Sequence, residues 1–476
     1  MNSWYSVHFR RLLFVALISA PCWCVASATA QDGPAPPARE WKLVGVGSCT
    51  AAGCHGGGRP ERIVGSEYNV WIAHDPHARA YSTLFDDRSR RIVELLSTAH
   101  DGPAVPAHQD RRCLACHSMT DREPRDPRRD VVSDGVGCEA CHGPAEGWLA
   151  AHFEPTFATV DHDRVGFWNT DSLRVRTQIC ARCHVGGEER DVDHDLIAAG
   201  HPRLQFEMGA YHEALPKHWN ESEDRQGREA DFDSLLWALG QACTSQAALE
   251  QLARRADSDG PSTVWPEFAE WSCSACHHDL RLDAPRPSSV RGQGPPGRLI
   301  EWDTWNHFVP HAHAQEVSAA LRLNTESASL IENALTDLAA EMQKLYPDRQ
   351  FVAGRARATA TELGRWAAAI ETSRLDPTEI DPLAQAILAT QLDRDSADWD
   401  SAAQTYNALA SLHQARLSHL PAGTPANEAL TAAIRNLYND LAAHRRSPRE
   451  KHFRPEELEQ RMRDIRNQLA PPGDGR

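Results

Sequence analysis

Four segments of the sequence share the pattern CxxCH: CLACH at 113–117, CEACH at 138–142, CARCH at 180–184 and CSACH at 273–277. A fifth segment, CTAAGCH at 49–55, has four residues between its cysteines instead of two. With 13 cysteines and 24 histidines in 476 residues, random placement would give roughly 0.02 CxxCH segments. The repetition therefore has a chemical cause, and it decides the fold.

The spacing is typical of covalent haem attachment. Two thiols one turn apart add to the two vinyl groups of a haem, and the next residue holds an imidazole under the iron. A zinc site needs four converging ligands and a thioredoxin-like site needs one redox pair, so neither explains five separate units. For the wider first motif, zinc or a disulfide stays open as an alternative.

The sequence thus predicts five covalently attached haem c groups. The attaching thiols are Cys49, Cys54, Cys113, Cys116, Cys138, Cys141, Cys180, Cys183, Cys273 and Cys276, and the proximal iron ligands are His55, His117, His142, His184 and His277. We predict no separate catalytic residue. Cys243 is left over, and because it shares helical spacing with leucines between Asp233 and Arg255, we expect an inert thiol in a core.

The N-terminus is typical of a secretory signal. Arg10 and Arg11 precede the apolar run 12–20, and Ala28-Thr29-Ala30 offers a small-residue cleavage site. The run is too short to span a bilayer, and no later stretch approaches that length. We predict a signal peptide at residues 1–30 and a periplasmic protein with no membrane span; a retained anchor is the alternative.

Charge restricts the class of partner. The chain carries 50 Lys+Arg and 66 Asp+Glu, a net charge of -16, and removal of Arg10 and Arg11 with the signal makes it -18. There is no basic arm or stripe, so nucleic acid is excluded as a partner. Redox proteins with basic docking surfaces are the expected partners.

Second iron ligands decide between a carrier and an enzyme. Two histidines saturate a haem iron and restrict it to electron transfer, whereas one leaves a position for substrate. The non-proximal histidines outnumber the five haems: His74, His77, His100, His108, His152, His162, His194, His201, His212, His218, His278, His307, His311 and His313. Among them, His201 is a predicted distal ligand, because the following Pro202 fixes the local backbone. His218 and His194 rank below it.

Several motifs carry a family resemblance. GVGCEACHGPA at 135–145 closely resembles the third haem segment of the cytochrome c-554 family, and the first motif followed by HARAYSTL at 77–84 is similar to its opening region. Segments similar to larger multihaem relatives are GHPRLQFE at 200–207, LPKHW at 215–219 and CSACHHDL at 273–280. The resemblance covers residues 45–280; the fifth motif and the wider first motif depart from the tetrahaem pattern.

This resemblance implies two further ligands. His77 and His152 match positions whose histidines bind iron from the distal side in the family. In the family the haem of the second motif lacks a strong distal ligand, which makes the haem of His117 the one expected to be open. His100 and His108 precede that motif and are alternative ligands for it.

The predicted fold is mainly α, with short helices and loops around packed haems followed by a C-terminal helical bundle. The haem domain spans residues 41–280, a Pro/Gly-rich linker 281–298 and the helical domain 299–476. The bundle contains no cysteine after residue 314, and we expect it to dock on the haem domain or to bind a partner. One of His307, His311 and His313 is a candidate ligand of the fifth haem.

Two functions follow from these patterns. The first is an exported pentahaem c-type cytochrome that transfers electrons between redox partners. The alternative is a multihaem oxidoreductase that acts on a small nitrogen or sulfur compound, of the hydroxylamine or nitrite type, at an open-sided haem. The number of saturated irons separates them, and the abundance of histidines favours the carrier.

Overall fold

In three of the motifs, the helix that carries the cysteines ends at the motif histidine. In a computed structural model, residues Arg111–His117 form α3, Cys138–His142 form α4 and Leu173–His184 form α6. Side chains of Asp110 and Ser172 cap α3 and α6 by accepting hydrogen bonds from backbone N–H groups in their first turns. The two cysteines and the histidine of each motif thus occupy the last helical turn.

The structure describes residues 40–58, 64–99, 103–119, 130–258, 264–271, 273, 302, 305–393, 399–421, 427–446 and 455–469. The remaining helices before residue 260 are α1 Glu67–His74, α2 Asp87–Ala99, α5 His162–Val165, α7 His194–Ala198, α8 Met208–Ala214, α9 Glu221–Asp224 and α10 Phe232–Asp257. Short 3-10 helices lie at Val46–Ser48, Pro76–Arg79, Ser82–Phe85, Ala107–Gln109, Pro155–Thr159, Phe268–Glu270 and Pro377–Glu379.

The C-terminal part is built from longer helices. They are α11 Phe308–Ala312, α12 Ala314–Ala320, α13 Thr325–Met342, α14 Arg349–Glu371, α15 Ile380–Leu392, α16 Trp399–Ser418, α17 Glu428–Arg446 and α18 Pro455–Leu469. The described residues contain no β-strand; isolated bridges join Gly187 with Arg190 and Trp271 with Trp302, and Leu43 is a further bridge residue. The prediction of a mainly α fold is confirmed.

One extended core joins α10 to the C-terminal helices. Helix α10 is buried around most of its circumference and makes its largest contact with α14, with further contacts to α6 and α16. Trp366 of α14 is buried in this core, and its indole N–H donates to the hydroxyl of Ser318 at 2.9 Å. The chain from Trp41 onward forms one compact unit, so the C-terminal helices pack on the segment that carries the motifs. The predicted linker 281–298 lies outside the described residues.

The motif-bearing part is organised differently, because its buried apolar residues include four small separate clusters. These clusters are Leu43, Val46, Met119 and Val131; Ile92, Leu96, Leu196 and Ala199; Val44, Ala145 and Trp148; and Leu84, Val93 and Ala107. Clusters of three or four side chains bury too little apolar surface to hold such a segment alone. This distribution supports the expectation that bound cofactors supply much of its interior.

Candidate haem centres

The helical motifs place all their reactive groups on one surface. In an α-helix, residues i, i+3 and i+4 are neighbours on the same face, so Cys138, Cys141 and His142 project together from α4. The turn after α4 needs Gly143, which has φ 81°. A Cβ atom at this position would meet the carbonyl oxygen of Gly166 at 2.2 Å, so no larger residue fits directly after the motif.

The residues of the first motif do not lie in an α-helix. Cys49 ends the 3-10 helix Val46–Ser48, and the four following residues form a turn in which Ala51 O accepts from the N–H of Cys54 at 2.8 Å. The N–H of His55 then donates to Cys49 O at 3.3 Å. The turn brings His55 back onto the backbone of Cys49, so the wider spacing still forms one closed unit.

Hydrogen bonds fix the tautomer of five histidines. In each, Nδ1 faces an oxygen that can only accept a hydrogen bond, so Nδ1 carries the proton and Nε2 keeps its lone pair when the ring is neutral. The pairs are His55 with Glu67 Oε2 at 2.9 Å, His77 with Asp75 Oδ1 at 2.8 Å, His117 with Ala80 O at 2.9 Å, His152 with Leu149 O at 2.8 Å and His201 with Pro202 O at 2.8 Å. Histidines that bind metals almost always donate their other N–H in this way.

Three motif histidines each lie close to a second histidine outside the motifs. The ring centroids lie 6.0 Å apart for His55 and His152, 6.0 Å for His77 and His184, and 6.3 Å for His142 and His218. With metal–nitrogen bonds of about 2 Å and about 1.1 Å from nitrogen to ring centre, two imidazoles on opposite sides of one metal have centroids about 6.2 Å apart. The spacing in all three pairs therefore fits a single iron.

The remaining histidine of the described helical motifs, His117, has His201 in its neighbourhood. The two rings are close enough for their charges to interact, and this interaction together with burial lowers the pKa of His201, burial being the larger cause. Arg88 of α2 holds the neighbouring backbone by donating twice to Gly200 O, at 3.0 and 2.7 Å. The side chains of α2 also pack on Leu196 and Ala199. Helix α2 thus sets the position of His201 beside the second motif.

The protein keeps two of the proximal imidazoles neutral. Burial lowers the pKa of His142 to about 4, with the charge of His218 as the next cause. Burial likewise lowers the pKa of His184 to about 4, with His77 as the second cause. A neutral ring offers the lone pair that a metal requires, so both rings are in the binding form at neutral pH.

The thiols bring different motifs into contact. The thiol of Cys49 lies within hydrogen-bonding reach of Cys138, and that of Cys116 within reach of Cys183. Cys141 is close enough to Cys180 for a charge interaction. In the described part of the chain these cysteines are free thiols. The four described motifs therefore form a row, in the order first, third, fourth and second motif.

The fifth motif and several further histidines lie away from these pairs or outside the described residues. Cys273 is described and exposed, whereas Cys276 and His277 lie outside the described residues, as does His100. His108 stacks on Phe85 at 4.4 Å between ring centroids. His307 is buried, and its ring stacks on Trp302. The hydroxyl of Ser245 forms a hydrogen bond with Nδ1 of His307 at 2.8 Å.

Sequence reasoning gave too little weight to three residues. His218 ranked below His201, yet the fold places it against His142. The carboxylates of Glu67 and Asp75, which contact histidine rings, were not considered. An acidic residue two positions before His77 was a usable signal in the sequence, but the contact of Glu67 with a histidine twelve residues earlier depends on the turn at the first motif.

Burial of Cys243 agrees with its predicted role. Its side chain is 1% exposed in α10, and burial raises the pKa of the thiol to about 12. A protonated, buried thiol is unreactive.

Comparison with known proteins identifies part of the chain. A family model described as cytochrome c554 and c-prime matches residues 49–143, the segment that contains the first three motifs. No curated protein and no solved structure matches the chain. No helix in the described residues is long and apolar enough to cross a membrane.

Proposed function

We propose that this chain, whose residues 49–143 match the family model of cytochrome c554 and c-prime, is a c-type cytochrome with covalently bound haem and an exported pentahaem electron carrier. The observation that carries the proposal is the pairing of histidines at the spacing of one metal ion. A haem iron held by two histidines exchanges one electron and has no position left for a substrate.

The proposed ligands follow from the pairs. His55 with His152, His117 with His201, His142 with His218 and His184 with His77 would each hold one iron, and the thiols of the same motifs would hold the porphyrins covalently. Cys273, Cys276 and His277 would hold the fifth. Hydrogen bonds to Nδ1 preorganise the rings, so the protein reorganises little when an iron changes charge.

The second motif bears on the choice between carrier and enzyme. The resemblance alone implies an open iron at His117. We propose His201 as its second ligand, because the charges of the two rings interact and Nδ1 of His201 is engaged by Pro202 O at 2.8 Å, which leaves Nε2 for the iron. This arrangement supports a saturated iron at the second motif. It favours the carrier over an oxidoreductase of hydroxylamine or nitrite type.

The row formed by the first, third, fourth and second motifs suits electron transfer across the protein. Contacts between thiols of neighbouring motifs leave short gaps between the groups they carry. The net charge of -16 suits docking to redox proteins with basic surfaces, whose encounter is steered by opposite charge. The C-terminal helices pack on α10 and are proposed to offer their outer face to such a partner.

Export is proposed from the N-terminal pattern of Arg10, Arg11, the apolar run 12–20 and Ala30. The mature periplasmic chain would begin at Gln31. Sequencing of the N-terminus of protein purified from the periplasmic fraction tests this point, and a chain that retains residues 1–30 there would contradict cleavage.

An electron paramagnetic resonance spectrum of the oxidised protein tests the carrier proposal. We expect low-spin signals from irons with two histidines and rapid, reversible electron exchange with a cationic partner cytochrome. Turnover of hydroxylamine or nitrite that accompanies a high-spin signal, and that is lost in His117→Ala, would replace the carrier with the enzyme.

A further inference from the structure

Two of the paired histidines are held by carboxylates. His55 Nδ1–H donates to Glu67 Oε2 at 2.9 Å, and His77 Nδ1–H donates to Asp75 Oδ1 at 2.8 Å. Both carboxylates are themselves fixed by the backbone: Glu67 accepts from the N–H of Gly65 at 3.0 Å, and Asp75 from the N–H of His77 at 2.9 Å. Both histidine–carboxylate contacts are therefore held in place by the local backbone.

The second motif has a different arrangement. Nδ1 of His117 faces the carbonyl oxygen of Ala80 at 2.9 Å, and Nδ1 of His201 faces that of Pro202 at 2.8 Å. Both acceptors are uncharged. Among the described residues, therefore, neither His117 nor His201 makes an ionic hydrogen bond. By contrast, one ring of the pair His55 and His152 and one of the pair His77 and His184 does.

We propose that Glu67 and Asp75 are positioning residues that lower the reduction potential of the irons bound by His55 and His77, relative to the iron bound by His117 and His201. The inference rests on the ligation in the proposed function. A carboxylate that accepts the Nδ1 proton makes the imidazole a stronger donor at Nε2. Stronger donation favours the ferric ion over the ferrous ion, and hydrogen bonding outside the ligand shell is a recognised way of setting haem potentials.

Burial ranks the two carboxylates. The side chain of Asp75 is 6% exposed and that of Glu67 is 22% exposed. Charge interactions are stronger where water is excluded. Asp75 therefore has the larger effect, and among the three irons compared the one at the second motif is reduced first.

The test is a redox titration of the intact protein with all its haems bound, monitored by optical and paramagnetic resonance spectra. The native chain, Asp75→Asn and Glu67→Gln are compared. Each variant keeps an oxygen that can accept the Nδ1 proton but removes the charge. In Asp75→Asn we expect the midpoint potential of the iron bound by His77 to rise most, by about 59 mV, a tenfold change in the equilibrium constant of that one-electron step; the iron bound by His218, whose charge also interacts with Asp75, shifts less. In Glu67→Gln a different midpoint rises by less.

Asp134→Asn is the matched control. Asp134 also lies near the first motif and accepts from the N–H of Val46 at 3.0 Å, so its loss removes a nearby charge without touching an imidazole. A rise in this variant equal to that in Glu67→Gln would overturn the inference, because simple proximity of charge would then account for it.

The outcomes separate this inference from the proposed function. Unchanged midpoints in both variants, with haem number and low-spin signals intact, overturn the role of the carboxylates and leave the ligation standing. Absence of low-spin signals in the native protein overturns the ligation itself. If Asp75→Asn fails to assemble, Glu67→Gln, at the less buried site, carries the test.

Discussion

Both carboxylate oxygens of Glu139 accept a hydrogen bond from the backbone N–H of Val44, at 2.9 and 3.2 Å. Glu139 lies between the two cysteines of the third motif, and it also accepts from the N–H groups of Gly45 and Ala145, both at 2.7 Å. One buried side chain thus ties the start of the described chain to the motif helix and to the turn that follows it.

We expect Glu139→Gln to lower the free energy of unfolding by about 2–4 kcal/mol, because an amide nitrogen would face N–H donors that have lost a charged acceptor. Chemical denaturation followed by far-ultraviolet circular dichroism measures the change. Glu146→Gln is the control, because Glu146 accepts a hydrogen bond at a more exposed site, from the backbone N–H of Lys42 at 3.1 Å. Equal stability of the two variants would show that Glu139 has no special role.

Removal of a distal histidine should open one iron. We expect His77→Ala, His152→Ala, His201→Ala and His218→Ala each to lose one low-spin signal and to gain carbon monoxide binding in the reduced state. His413→Ala is the control, since that ring lies in α16 and its Nε2 contacts the hydroxyl of Thr431 at 2.9 Å. A variant of the first group that matches the control would remove its histidine from the set of ligands.

Mass spectrometry of the mature protein should show five haem additions. The first motif is the most exacting case, because its thiols are separated by four residues and lie in a turn. Replacement of both Cys49 and Cys54 with Ser should leave four additions. Four additions in the native protein, unchanged by this double replacement, would show that the first motif carries none.

A histidine outside the proposed ligand sets should make stability depend on pH. His212 Nε2 accepts from Arg176 at 3.1 Å and must be unprotonated to do so. Burial, followed by the charges of Lys217 and Arg176, lowers its pKa to about 4. In unfolded chain the pKa is the ordinary value of about 6.5, so between these values the unfolded state binds a proton that the folded state does not.

The free energy of unfolding therefore falls as pH drops from 6.5 toward 4, and at pH 5 the loss from His212 is on the order of 1–2 kcal/mol. In His212→Gln, whose amide oxygen can still accept from Arg176, this part of the pH dependence should disappear. Denaturation curves at pH 7 and pH 5 measure it. His162→Gln serves as the comparison, and equal pH dependence of the two variants would contradict the assignment.

The sequence was sufficient for features that depend on local spacing. The helical motifs follow from cysteines and histidines on one turn, and the helix predicted over Asp233–Arg255 is observed as Phe232–Asp257. Contacts between distant segments were not predictable in the same way. That His218 faces His142, or that α14 covers α10, depends on how loops of irregular conformation return the chain, and no periodic pattern encodes those paths.

The division of the apolar interior has a consequence for how the protein is assembled. Helix α10 and the C-terminal helices share an extended core of their own, whereas the clusters around the first motifs contain three or four side chains each. Before haem is attached, α10 and the C-terminal helices should thus be folded, whereas the part around the first motifs should still be open. Its thiols would then be accessible to the enzymes that attach haem. Hydrogen exchange on haem-free protein should show protected amides in α10 and α14 and fast exchange in residues 41–165; uniform protection would refute this order of events.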